Sequence, residues 1–181
     1  MAAQIESPNE YPRPRLRRWL WGGAGLLLLT PLVAMQFSDE VQWTAFDFAV
    51  MGATLAAVCG AFELAIRARA STAYRAGAAL AVAGNALLQW INLAVGIIGS
   101  ENNPANLMFL AVPAVGLLGA LIGRFRPTGL KRTLIAMAVT QAGIGFVTLA
   151  AGLGMILPLT AVFTGLWLAA AWLFWRAARE G

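Results

Sequence analysis

Apolar runs of about twenty residues, separated by short polar stretches, organise this 181-residue chain. A helix rises 1.5 Å per residue, so each run is long enough to cross the roughly 30 Å hydrocarbon core of a bilayer. Six membrane-spanning helices are predicted, at Leu20–Phe37, Ala45–Ile66, Ala76–Gly99, Pro104–Gly123, Thr133–Gly152 and Leu159–Trp175. The last two need an argument, because no charge falls between Thr133 and Trp175. A single helix there would run about 65 Å, twice the bilayer core, so the chain must reverse. Gly152, Gly154 and Pro158 mark the expected turn. Thr44 with Asp47 reads as a capping box, and Asn103 before Pro104 as an N-cap with proline in the first turn.

Charge fixes the direction of threading. The 13 Lys and Arg residues fall in four clusters, Arg13–Arg18, Arg67–Arg75, Arg124–Arg132 and Arg176 with Arg179. Because basic loops are retained in the cytoplasm, both termini are expected inside. The outer loops are then residues 38–44, 100–103 and 153–158, none with Lys or Arg. Trp19, Trp21, Trp43, Trp172 and Trp175 sit where interfacial aromatics belong. The expected organisation is a cytoplasmic tail over residues 1–18, a transmembrane domain over 19–176 and a short cytoplasmic end over 177–181. The fold class is an all-α integral membrane bundle of six transmembrane helices, N-in and C-in. A shift of 57 residues superposes Arg67, Arg69 and Arg75 on Arg124, Arg126 and Arg132. A duplicated helix hairpin is one explanation; chance in an Ala-, Leu- and Gly-rich chain is the other.

At 60% hydrophobic and 12% charged, the composition lies outside the soluble globular range. The net charge of +5 does not imply nucleic acid, because the basic residues occupy short loops and form no aromatic-studded surface. They face lipid head groups instead. The chain has no histidine and one cysteine, Cys59. That excludes His-ligated haem, His-based metal sites, a Ser-His-Asp triad and an internal disulfide. No cofactor and no metal site are expected, and the protein is not expected to be an enzyme.

Polar residues at membrane depth carry the candidate chemistry. On the third helix Asn85, Gln89, Asn92, Gly96 and Gly99 recur at steps of four and three, forming one stripe. The fifth repeats the pattern with Gln141, Gly145, Thr148 and Gly152. Amides cannot face hydrocarbon unpaired, so both stripes should turn into the bundle, towards each other. They read either as a polar path or ligand site, or as interhelical hydrogen bonding beside small residues; the second is preferred. Glu63 is the carboxylate well inside a span, with Arg67 at i+4 in the order that favours an ion pair. Asp39, Glu40, Asp47, Glu101, Asn102, Asn103 and Asn106 gather towards the outer surface, where caps and solvated loops explain them. Gly52, Ala56 and Gly60, and Gly119 with Gly123, form small-residue faces for close packing within the chain or with a neighbour. Trp90 and Trp167 fall near mid-depth and are read as packing residues.

The stretch NLAVGIIGSENNPANLM at Asn92–Met108, continued by IGRFRPTGLKR at Ile122–Arg132, resembles a family of small polytopic proteins of the bacterial inner membrane. The resemblance implies that location and transfers no activity or site residue.

Three function classes follow. The first is a non-catalytic subunit or scaffold, packing against other membrane proteins or itself through its small-residue faces. The second is a carrier or channel for a small solute or ion, using Asn85, Gln89, Asn92 and Gln141, with Glu63 as a further candidate if it serves a proton or cation path rather than the pair with Arg67. The third is an intramembrane enzyme resting on Glu63, Asp47 or Glu101. The absence of a catalytic constellation ranks them in that order.

Overall fold

A computed structural model of the chain describes residues 13–37, 42–67, 71–100, 102–154 and 156–180, apart from the side chains of residues 13–16, 61–62 and 64–67. Its regular elements are helices α1 (Arg13–Ala34), α2 (Ala45–Arg67), α3 (Thr72–Ala94), a 3₁₀ segment (Pro104–Leu110) running into α4 (Ala111–Ile122), α5 (Pro127–Ala150) and α6 (Leu157–Ala177). Four helices are long and apolar enough to cross a membrane: Thr72–Ala94, Pro104–Ile122, Pro127–Ala150 and Leu157–Ala177. Among the described residues, α2 contributes a shorter apolar stretch, Ala45–Gly60. The chain divides into two compact units, Met1–Thr44 and Ala45–Gly181.

The first unit holds α1. It starts two turns before the predicted span, so Arg13–Arg18 are helical. Pro31 lies inside the helix and has no N–H to donate, and its carbonyl accepts from Met35 N at 2.9 Å where the helix ends.

In the second unit the packing runs α2 on α3, α3 on α6, α6 on α5 and α5 on α4. Lipid tails are as apolar as the side chains, so close van der Waals fit holds such helices together rather than expulsion of water. Small residues make that fit. A Cβ on Gly77 would meet the Phe174 ring, one on Gly84 would meet Leu166 and Trp167, and one on Gly145 would meet Thr160. Gly119 faces Thr133, and Gly123 touches Gly129 backbone to backbone. The small face of α4 is therefore spent inside the chain, on α5. Trp167, Phe109, Phe163, Phe174 and Leu88 fill the core.

Helix ends depart from the expectation by a turn or more. Both α3 and α5 begin before their predicted starts, because Ser71 accepts from Tyr74 N at 3.3 Å and Pro127 occupies the first turn of α5. Lys131 and Arg132 thus ride on α5 rather than in a loop. Asn103 caps the next element as expected, accepting from Ala105 N at 3.0 Å, but the first turns are 3₁₀. Pro113, unable to donate to the Phe109 carbonyl, keeps the regular ladder from starting earlier.

The reversal expected at Gly152 and Gly154 is present, with φ of 65° and 117°. Leu153 N donates to Thr148 O at 3.0 Å and Gly152 N to Leu149 O at 3.2 Å, a Schellman closure. The α4–α5 turn closes the same way, with Arg124 and Phe125 at positive φ of 49° and 55°. Tyr74 ties one end of the unit together. Its hydroxyl donates to Phe125 O at 2.9 Å, and its ring meets that of Phe174 edge-on at 5.0 Å. The start of α3, the α4–α5 turn and the end of α6 thereby share one end, which carries Arg75, Arg124, Arg126, Arg176 and Arg179. Segments 95–103 and 151–156 carry no basic residue.

Candidate functional site

The polar residues that sequence periodicity singles out gather around α6. Gln89 and Asn92 of α3 and Gln141 of α5 are buried, as are Thr160 and Trp167 of α6. Gly77 against Phe174 and Gly84 against Trp167 set α3 antiparallel to α6, and the short connection after Ala150 does the same for α5, which meets α6 at Gly145 and Thr160. Counting from those contacts, Gln89 and Asn92 on one side and Gln141 on the other lie level with the Thr160–Trp167 stretch. That stretch is two turns, roughly 10 Å along the axis. Both stripes were expected to face each other. Instead each packs on α6, which contributes its own polar face, Thr160, Thr164 and Trp167. These α6 residues went unrecognised as a set, although their steps of four and three match those of the α3 stripe.

Among the described residues, eight buried polar atoms around α6 have no hydrogen-bond partner: Asn85 Oδ1, Gln89 Oε1, Asn92 Oδ1, Gln141 Oε1 and Nε2, Thr160 Oγ1, Thr164 Oγ1 and Trp167 Nε1. Gln141 is fully buried with both ends of its amide unpaired. Thr148, grouped with them by sequence, is different: its hydroxyl donates to Gly145 O at 2.9 Å within its own helix. The set contains oxygens that accept, an indole N–H that donates, hydroxyls that do both, and no group that ionises near neutral pH. It suits an uncharged molecule with O–H or N–H groups. It is not suited to general acid–base work.

The α3 stripe also stops earlier than its periodicity implied. The helix ends at Ala94, and Gly96 and Gly99 turn the chain with φ of 76° and 71°. Asn106 clamps that turn from the 3₁₀ segment. Its Oδ1 accepts from Ile97 N at 3.0 Å and Ile98 N at 2.8 Å, while its Nδ2 donates to Ser100 O at 2.7 Å. A residue expected among solvated outer amides is therefore 4% exposed and holds a loop over the polar layer's end of the unit. Neighbour contacts eight residues apart leave no periodic signal, so the sequence gives no warning of it.

Other expected sites stay apart from this layer. Glu63 is half-buried on α2, and its pairing with Arg67 lies outside the described residues because the Arg67 side chain does. Asp39, Glu40 and Glu101 also lie outside them, as does Arg69 of the repeat. Asp47 sits in the first turn of α2. Among the described residues no group of three or more His, Cys, Asp or Glu gathers to hold a metal ion. Cys59 is buried on α2. Two surface hollows lie elsewhere, one along α1 beside Arg18, Trp19 and Gly22, the other at the end of α6. Compared with protein-family models, curated proteins and solved structures, the chain matches none.

Proposed function

We propose that the chain is a multi-pass protein of the bacterial inner membrane, with six spans and both termini cytoplasmic, and that it carries a small uncharged polar solute. The solute site is the layer between α3, α5 and α6. The observation that supports this reading is the set of unpartnered atoms around Gln141 and Trp167. A buried polar group without a partner costs on the order of 1–3 kcal/mol. Several together cost about as much as the 5–15 kcal/mol that keeps a domain folded. Interhelical amide bonds, the bland explanation, would recover roughly 0.6 kcal/mol each, but these amides do not reach one another. A polyol or urea-like solute offers both donors and acceptors, and the layer supplies both in return. The protein binds and moves it without chemistry, since the layer holds no acid or base.

The test uses the full chain in liposomes under an osmotic jump, with glycerol and urea as probes. Wild-type vesicles should admit at least one of them faster than protein-free vesicles. Gln141→Leu should abolish that difference while keeping or raising thermal stability, because it removes an unpaired amide from an apolar interior. Equal permeability of wild-type and empty vesicles, or unchanged flux through Gln141→Leu, would refute the carrier.

A second reading, the non-catalytic subunit, draws on the outer face of α6. Ala161, Gly165 and Ala169 are exposed there at i, i+4 and i+8, and a Cβ on Gly165 would meet nothing within 4 Å. Such a face admits another helix closely. A larger assembly surviving gentle solubilisation is its mark, against a lone chain that conducts solute.

A further inference from the structure

The last two turns of α6 carry a second constellation, independent of the polar layer. Arg176 stands over the Trp172 ring, 5.1 Å from its centre, and Arg179 stands over the Trp175 ring at 4.9 Å. The i, i+4 spacing lays each guanidinium on the indole one turn back. Among the described residues neither guanidinium has a carboxylate within ion-pair distance. The four side chains, with Glu180, line a hollow of about 270 Å³.

We infer that this ladder binds the phosphate of an anionic phospholipid. Stacking on an indole occupies the face of a guanidinium and leaves its edge N–H groups free, in the planar fork that matches phosphate oxygens. It also fixes long side chains before the ligand arrives, which lowers the entropy lost on binding. Two arginines against one glutamate leave the hollow with a net charge of +1, matched to a phosphodiester monoanion. The surroundings name the source of that phosphate. Trp172 and Trp175 are both exposed, and one turn further into α6 the exposed Leu168 continues the same apolar surface. A ligand seated here has its phosphate among the arginines and its remainder along hydrocarbon, as a phospholipid does and a soluble phosphate does not. The other basic residues of this end, Arg75, Arg124 and Arg126, add long-range attraction for an anionic head group.

The test is native mass spectrometry of the full chain in mild detergent, titrated with phosphatidylglycerol, phosphatidylcholine or phosphatidylethanolamine. Wild type should retain phosphatidylglycerol over either zwitterionic lipid by roughly thirtyfold, the scale expected for two basic groups at a membrane surface. R176Q/R179Q should bring that ratio close to one. R75Q/R126Q removes the same charge from the same end and should leave most of the preference. Should R176Q/R179Q fail to fold, R176K/R179K serves, since it keeps the charge but loses the planar fork and should cost about threefold. Equal losses in the ladder and control variants would reduce the site to diffuse charge and overturn it. So would equal retention of phosphatidylethanolamine, an undiminished ratio in R176K/R179K, or displacement of the lipid by millimolar inorganic phosphate. None of these outcomes depends on solute flux through the layer.

Discussion

Replacing Gly129 by alanine should loosen the α4–α5 hairpin. A Cβ at residue 129 would lie 2.7 Å from Gly123 Cα and 2.9 Å from Gly123 O, whereas ordinary contact begins at 3.4 Å. The two backbones must part by 3.4 − 2.7, about 0.7 Å, because neither atom can rotate out of the way. A gap of 0.5–1 Å forfeits about a quarter to a half of each dispersion contact across the interface. Overpacking of this kind costs typically 1–3 kcal/mol. Alanine returns about 0.5–1 kcal/mol of helix propensity, so the net loss is about 1–2 kcal/mol. Gly143→Ala on the same helix isolates the propensity contribution, since its Cβ meets nothing within 4 Å. That variant should gain about 0.5–1 kcal/mol. The two should therefore differ by about 2 kcal/mol, or roughly 4–8 °C in Tm for a chain of this size. Thermal unfolding in detergent, followed by circular dichroism, measures the gap. If Gly129→Ala unfolds at or above the temperature of Gly143→Ala, the backbone contact at Gly123 does not limit the packing of α4 on α5.

Two further outcomes can be checked. Asn106→Ala removes the acceptor for Ile97 N and Ile98 N, leaving buried donors unpaired at about 1–3 kcal/mol each; hydrogen exchange at residues 96–100 should speed up by at least tenfold, and unchanged exchange would mean the clamp is dispensable. On a Cys59→Ala background, a cysteine at Asn102 should react with a membrane-impermeant maleimide in intact cells and one at Glu180 should not, because basic segments stay cytoplasmic; labelling of both, or of neither, rejects the proposed threading.

Local chemistry made part of the fold legible. Gly152 and Gly154 announce a reversal because positive φ and a missing Cβ have few other uses in an apolar stretch, and Asn103–Pro104 announces a helix start. The starts of α3 and α5 leave a weaker trace in the sequence. Arg75, Lys131 and Arg132 read as loop residues, yet a helix continues through them because Ser71 caps one and Pro127 opens the other. At the end of α3 the error ran the other way: Gly96 and Gly99 keep the stripe's spacing after the helix has stopped. Periodicity correctly turned Gln89, Asn92 and Gln141 inward, because amides and hydrocarbon exclude each other. It could not name the covering helix. A period defines a face, while the choice of α6 over a direct α3–α5 contact depends on Gly84 and Gly145 finding Trp167 and Thr160 across long sequence separations.

The position of α6 has a consequence for biogenesis. Both α3 and α5 rest on a helix that is synthesised after them, so their amides have no α6 beside them while they are being made. A nascent chain stalled before Leu157 holds Gln89, Asn92 and Gln141 without the helix that covers them. The packing of α3 and α5 thus waits on residues that follow both of them in the chain.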